Sequence, residues 1–121
     1  MTRVGYTGGN NPLPTYESVC RGDGHTEALQ IAFDPRQTAY EELLRLFWHL
    51  YTGQSSRAQY KSAIWYHNDQ QKQAITKSIA DFEALRGSLP RLDVLPSSEW
   101  HDAEDYHQKY LQKMSSPLSR L

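Results

Sequence analysis

A chain of 121 residues that is 38% hydrophobic, 12% aromatic and 22% charged has the apolar content for one modest core, which excludes a disordered protein. Thirteen basic residues against fourteen acidic ones leave no cationic field for nucleic acid or an anionic membrane, and no apolar stretch is long enough to span a bilayer. A single cysteine, Cys20, excludes an internal disulfide and a cysteine-rich metal site.

Arg3-Val4-Gly5-Tyr6 reads as the tail of a strand entering a turn at Thr7-Gly8-Gly9-Asn10-Asn11. Pro12-Leu13-Pro14 suits a loop, since proline breaks helix interiors and central strands. Thr15 to Cys20 predicts a short helix capped by Thr15, with Ser18 where a capping box would place Glu or Gln. Arg21-Gly22-Asp23-Gly24 is a turn. Glu27 to Phe33 predicts a strand, with Leu29, Ile31 and Phe33 on one face. Asp34-Pro35 ends it. A helix follows from Ala39 to Tyr51, with Tyr40, Leu43, Leu44, Phe47 and Trp48 on its apolar side. Residues 52–57 are a polar loop. Ala63-Ile64-Trp65-Tyr66 predicts a second strand. Asn68 or Asp69 caps a helix over 70–86, its apolar side formed by Ala74, Ile75, Ile79, Phe82 and Leu85, with Gly87 as the stop. Leu92 to Leu95 suits an edge strand before Pro96. A last helix over Ala103–Met114 and a frayed tail from Pro117 complete the chain. Alternating strands and helices predict an α+β or α/β fold.

Several residues carry chemistry. Cys20 is a thiol whose neighbour Val19 predicts partial burial, and His25 stands near enough in sequence to activate it. His25 with Glu27, and Asp105 with His107, have the alternate spacing that metal ligands on a strand adopt, but chance meets that spacing readily. His101, Asp102 and Glu104 suit a solvated helix start, where acids favour the dipole. No metal site is expected.

The segments Val4-Gly5-Tyr6-Thr7-Gly8-Gly9, Pro14-Thr15-Tyr16-Glu17-Ser18-Val19-Cys20 and Gly24-His25-Thr26-Glu27 follow one another in order. Phe33-Asp34-Pro35, Tyr40-Glu41-Glu42-Leu43-Leu44, Gln59-Tyr60-Lys61-Ser62-Ala63-Ile64 and Ala103-Glu104-Asp105-Tyr106-His107-Gln108 continue the series. Together they make the chain resemble the A-type peptide methionine sulfoxide reductases across nearly its whole length. The resemblance implies a single α+β domain over 1–121, a mixed sheet with helices packed on it. It also implies that the first strand and first helix of that fold are missing here. The family's Gly-Cys-Phe-Trp motif, whose cysteine attacks the sulfoxide sulfur, lies upstream of the Val-Gly-Tyr segment.

By resemblance the expected activity is that of a peptide-methionine (S)-S-oxide reductase, which repairs methionine sulfoxide in peptides or free. Thioredoxin or a small dithiol would be the external reductant, with no other cofactor. Tyr6 and Tyr60 match the two tyrosines that bind the sulfoxide oxygen. Glu17 is the stand-in for the acid, one position ahead of the family's, where Ser18 stands. Cys20 matches a cysteine position that is not the nucleophile. The alternative is a non-catalytic protein that binds methionine sulfoxide, or a remnant that needs a partner chain. Self-association through the edge left by the missing strand would supply such cover. The start Met1-Thr2-Arg3-Val4-Gly5 carries no leader pattern, so a cytoplasmic location is the default.

Overall fold

The computed structural model describes residues 1–51 and 58–108, Tyr60 through its backbone only. The loop expected over 52–57, the later part of the last predicted helix and the tail from Pro117 lie outside the described residues. The fold is mixed α+β, with antiparallel pairing in one sheet and parallel pairing in another. These sheets belong to two compact units.

The first unit holds strand β1 (Thr2–Thr7), helix α1 (Tyr16–Cys20) and strand β2 (Thr26–Ile31). A 3₁₀ turn at Ala58–Tyr60 joins them, as does a late strand, Trp100–Asp102. The late strand was not anticipated: three residues give too short a run for alternation to register. It pairs antiparallel with β1, setting Gly5 opposite Asp102, while β2 pairs on the other side, Val4 opposite Leu29. β1 is therefore the central strand, buried from Val4 to Thr7. Tyr6, Val4, Val19 and Ala103 form the core of this unit.

Gly5 is required by packing. A Cβ there would lie 2.3 Å from the Trp100 ring and 2.6 Å from the His101 carbonyl oxygen. Beyond Asp102 the chain stays tied to β1 by a side chain. Gln108 accepts the Val4 N–H at 2.9 Å and donates to the Val4 carbonyl at 2.7 Å, an imitation of strand pairing. In β2 the alternation marked the strand, but Leu29 is 36% exposed and Ile31 only half-buried. A period of two sets which face a residue takes, and burial depends on what packs over that face.

The second unit contains helix α2 (Tyr40–Leu50), strand β3 (Ala63–Tyr66), helix α3 (Asp69–Arg86) and strand β4 (Asp93–Pro96). β3 and β4 pair in parallel through α3, Ala63 opposite Asp93. Asn68 caps α3 by accepting the Gln71 N–H at 2.9 Å. Gly87 ends it at φ 80°, a left-handed position that suits glycine. α2 meets α3 through an aromatic cluster. Trp48 stacks on Phe82 at 4.6 Å, Tyr51 meets Phe82 edge-on at 5.6 Å, and the Trp48 indole N–H donates to Ser78. Leu85, expected on the same side, is 83% exposed. The helix has run past its buried stripe there, and the Arg86 guanidinium covers the Phe82 ring instead, 5.2 Å from its centroid.

Candidate functional site

Five residues are too few for a helix to persist on propensity, so caps and tertiary bonds must hold α1. Thr15 Oγ1 accepts the Ser18 N–H at 3.2 Å, and Ser18 Oγ accepts the Thr15 N–H at 2.9 Å. Serine thus completes the capping box in the place of Glu or Gln. Ser18 Oγ also donates to Asp23 at 2.8 Å, while Asn11 donates to both of these side chains. Burial works against the Asp23 charge, but the His25 N–H, Ser18 and Asn11 outweigh it and hold the carboxyl below its ordinary range.

Glu104 joins β1 to this helix. Its Oε1 accepts the Tyr6 hydroxyl at 2.9 Å, and its Oε2 accepts the Tyr16 N–H at 3.0 Å. Burial opposes its charge, yet the Tyr16 and Glu104 backbone N–H groups and the Tyr6 hydroxyl, with His107 nearby, keep it ionised below the usual range. Tyr6 moves the other way. Burial, donation to Glu104, and the charges of Glu104 and Glu27 push its hydroxyl far above the ordinary value, so it stays protonated. The exposed Tyr106 hydroxyl is raised by desolvation first, then by Glu104, Glu17, Cys20 and Glu27. The His107 ring lies 5.0 Å from Tyr16 and 4.3 Å from Tyr106, and its buried Nε2 has no partner among the described residues.

Cys20 ends α1, half-buried, and its sulfur accepts Gln59 Nε2–H at 3.2 Å. Gln59 is brought there by the 3₁₀ turn, which Thr26 ties to β2 by donating to the Ala58 carbonyl at 2.7 Å. His25 does not reach out to the thiol. Its Nδ1 accepts the Gly9 N–H at 3.1 Å, and its Nε2–H donates to the Asn11 carbonyl at 2.8 Å. Both ring nitrogens are spent on backbone, so the activating and metal-ligating parts considered for His25 have no free nitrogen to use. A Cβ on Gly9 would fall 2.6 Å from the His25 backbone nitrogen, which gives the second glycine of Thr7-Gly8-Gly9 its reason.

The sequence-derived candidates stand in different settings. Tyr6 is fully buried, with its hydroxyl on Glu104. Glu17 is exposed on the first turn of α1, close enough to Tyr106 for its charge to be felt there. Tyr60 closes the 3₁₀ turn, its side chain lying outside the described structure. Glu27, read from sequence as a motif residue and weighed as a metal partner of His25, is half-buried on β2 opposite Tyr6. Glu104 was read as a solvated helix start. The ordered motifs containing both residues were the available signal, but a motif does not say which of its carboxylates turns inward.

The chain belongs to the peptide methionine sulfoxide reductase family, whose model matches residues 1–120. It is similar to the peptide methionine sulfoxide reductase MsrA of Methanosarcina acetivorans, 40% identical over 93% of this chain and 65% of the relative. It is also similar to the MsrA of Vibrio cholerae, 40% identical over 93% of this chain and 58% of that relative. The chain thus spans about three-fifths of the length of these two curated proteins. Among solved structures, reduced Mxr1 from Saccharomyces cerevisiae superposes with a TM-score of 0.78 at 25% identity, covering 97% of this chain and 75% of that one. Methionine sulfoxide reductase A of Corynebacterium diphtheriae superposes at 0.75 with 27% identity, covering 97% of this chain and 66% of that one.

Proposed function

We propose that this protein binds methionine (S)-sulfoxide, in peptides or free, and that the bound sulfoxide is reduced to methionine by thiols. The observation that carries the reading is the part-buried Tyr6–Glu104–Tyr16 network with the Glu27 charge beside it, in a chain of this family. A sulfoxide presents a polar S–O group next to an apolar methyl. Binding it takes hydroxyl or carboxyl donors held in a half-buried setting. A thiolate attacks the sulfur while the oxygen takes up one proton. Net, oxygen passes to the thiol as a sulfenic acid and the sulfide is released. A second thiol, from thioredoxin or a small dithiol, condenses with the sulfenic acid and releases water. The balance closes with thiols alone.

Within this reading Tyr6 is a positioning residue, because its hydroxyl already donates a hydrogen bond to Glu104. Tyr60 is the proposed direct donor to the sulfoxide oxygen. Two carboxyls compete for the acid role. Glu17 follows from the resemblance, and Glu27 is favoured by its half-buried place. A second reading, binding without turnover by this chain, draws on Cys20. The sequence has no other thiol, and this one already accepts a hydrogen bond from a buried amide. Self-association through the outer strands of the three-stranded sheet, and a cytoplasmic location, belong to the same proposal.

The test pairs binding with turnover. Calorimetry with a methionine-sulfoxide peptide should show binding that the methionine peptide lacks, weakened in Tyr60→Phe and more by Glu27→Gln than by Glu17→Gln. Absence of binding at millimolar peptide overturns the proposal. Turnover with dithiothreitol that disappears in Cys20→Ser would make Cys20 the nucleophile. Binding with no turnover establishes the second reading.

A further inference from the structure

We propose that Cys20 is a modification site at which hydrogen peroxide forms a sulfenic acid held by the Gln59 side chain. Gln59 is only 3% exposed, and its Nε2–H already points to the Cys20 sulfur at 3.2 Å. The carbonyl oxygen on the same planar amide is buried with no partner among the described residues. A buried amide oxygen without a donor costs free energy, so a group that supplies one is stabilised there. A sulfenic acid on Cys20 brings that donor: its S–OH reaches towards Oε1 while Nε2–H keeps its bond to sulfur.

The step balances without a further reactant. The thiolate sulfur attacks one peroxide oxygen, the S–O bond forms and the O–O bond breaks. The departing hydroxide takes the thiol's proton and leaves as water. Sulfur is oxidised by two electrons and the peroxide is reduced by two. Cys20 is half-buried, which admits an oxidant of that size more readily than a bulky one. The Nε2–H bond to sulfur and the S–OH placed against Oε1 hold the sulfenic acid in the half-buried site, which favours arrest at the first oxidation. The sequence offers no second cysteine to capture the sulfenic acid, so its removal falls to an external thiol. The site does not depend on sulfoxide chemistry.

The test treats the 121-residue chain with stoichiometric hydrogen peroxide, traps with dimedone and maps adducts by mass spectrometry. The expected result is a dimedone adduct on Cys20 as the main product of the folded protein. Gln59→Met, which fills the space without donor or acceptor oxygen, should lower that adduct severalfold and raise sulfinic acid to match. Wild-type protein unfolded in urea serves as a reference that needs no substitution, and it should lose the same preference. No adduct from the folded protein, or an equal yield from folded and unfolded wild type, overturns the proposal. An unchanged yield in folded Gln59→Met overturns it as well.

Discussion

Tyr6 shows how a residue can be found in the sequence while its hydrogen-bond partner is not. The motif around it is legible, and the residue is buried on the central strand β1. Its hydroxyl, however, is fully buried and bonded to a carboxylate 98 positions away. Alternation along β1 cannot report a partner that distant. Tyr6→Phe should therefore act chiefly on stability. It removes a hydrogen bond to a charged group, worth roughly 1.5–3 kcal/mol, and leaves Glu104 short of a donor in a partly buried place. Urea unfolding should show a lower midpoint with an unchanged slope. Gly5→Ala is expected to cost roughly 1–3 kcal/mol by overpacking. Shrinking Trp100 should recover only part of that loss, because the His101 carbonyl that a new Cβ would meet belongs to the backbone.

Among the elements, helices were more readable than short strands. α3 shows its stripe, its Gly87 stop and a cap at Asn68 or Asp69 in the sequence, and the structure selects Asn68. Only its last turn was misjudged, because helical periodicity continues after the neighbour that justifies it has ended. α1 is the opposite case. Its cap was visible, but Ser18 looked too short to complete the box, since the rule names longer side chains. Serine succeeds because its hydroxyl can accept the Thr15 N–H and donate to Asp23 at once. Thr15→Ala should destabilise by about 1 kcal/mol, the usual loss for an N-cap. Ser18→Ala should cost more, because it severs the cap and the Asp23 link together. Denaturant titration of the two variants and of the double variant tests this, and the pair should be strongly non-additive.

At the scale of the molecule, acid is the informative perturbation. Asp23 and Glu104 are held below their ordinary range by donors that outweigh burial, and Asp102 by its bonds from Arg3 and Trp100. A carboxyl depressed by folding stabilises the native state above its unfolded value and loses that contribution as pH falls through its folded one. Stability should therefore hold from pH 7 down to about pH 4, the ordinary carboxylate value, and decline below it. Urea midpoints across pH 7 to pH 2.5 check the direction. Glu104→Gln should flatten the decline, while Asp102→Asn should flatten it less, its pair with Arg3 being open to solvent. The fold class was legible because motif order and alternation survive at low resolution of thought. Closure of the three-stranded sheet was not, since it rests on three residues near 100 and on the Gln108 amide.

That late closure has a consequence for biosynthesis. Thr2–Thr7 leaves the ribosome about 95 residues ahead of Trp100–Asp102, which completes one of its edges. At about 5–20 residues per second the nascent strand waits roughly 5–20 s, half-paired with β2. By the end of that interval the unit of α2, β3, α3 and β4 has emerged in full. The newborn chain thus carries one assembled half and one unfinished half, and the unfinished one is where a chaperone would find an open strand to hold.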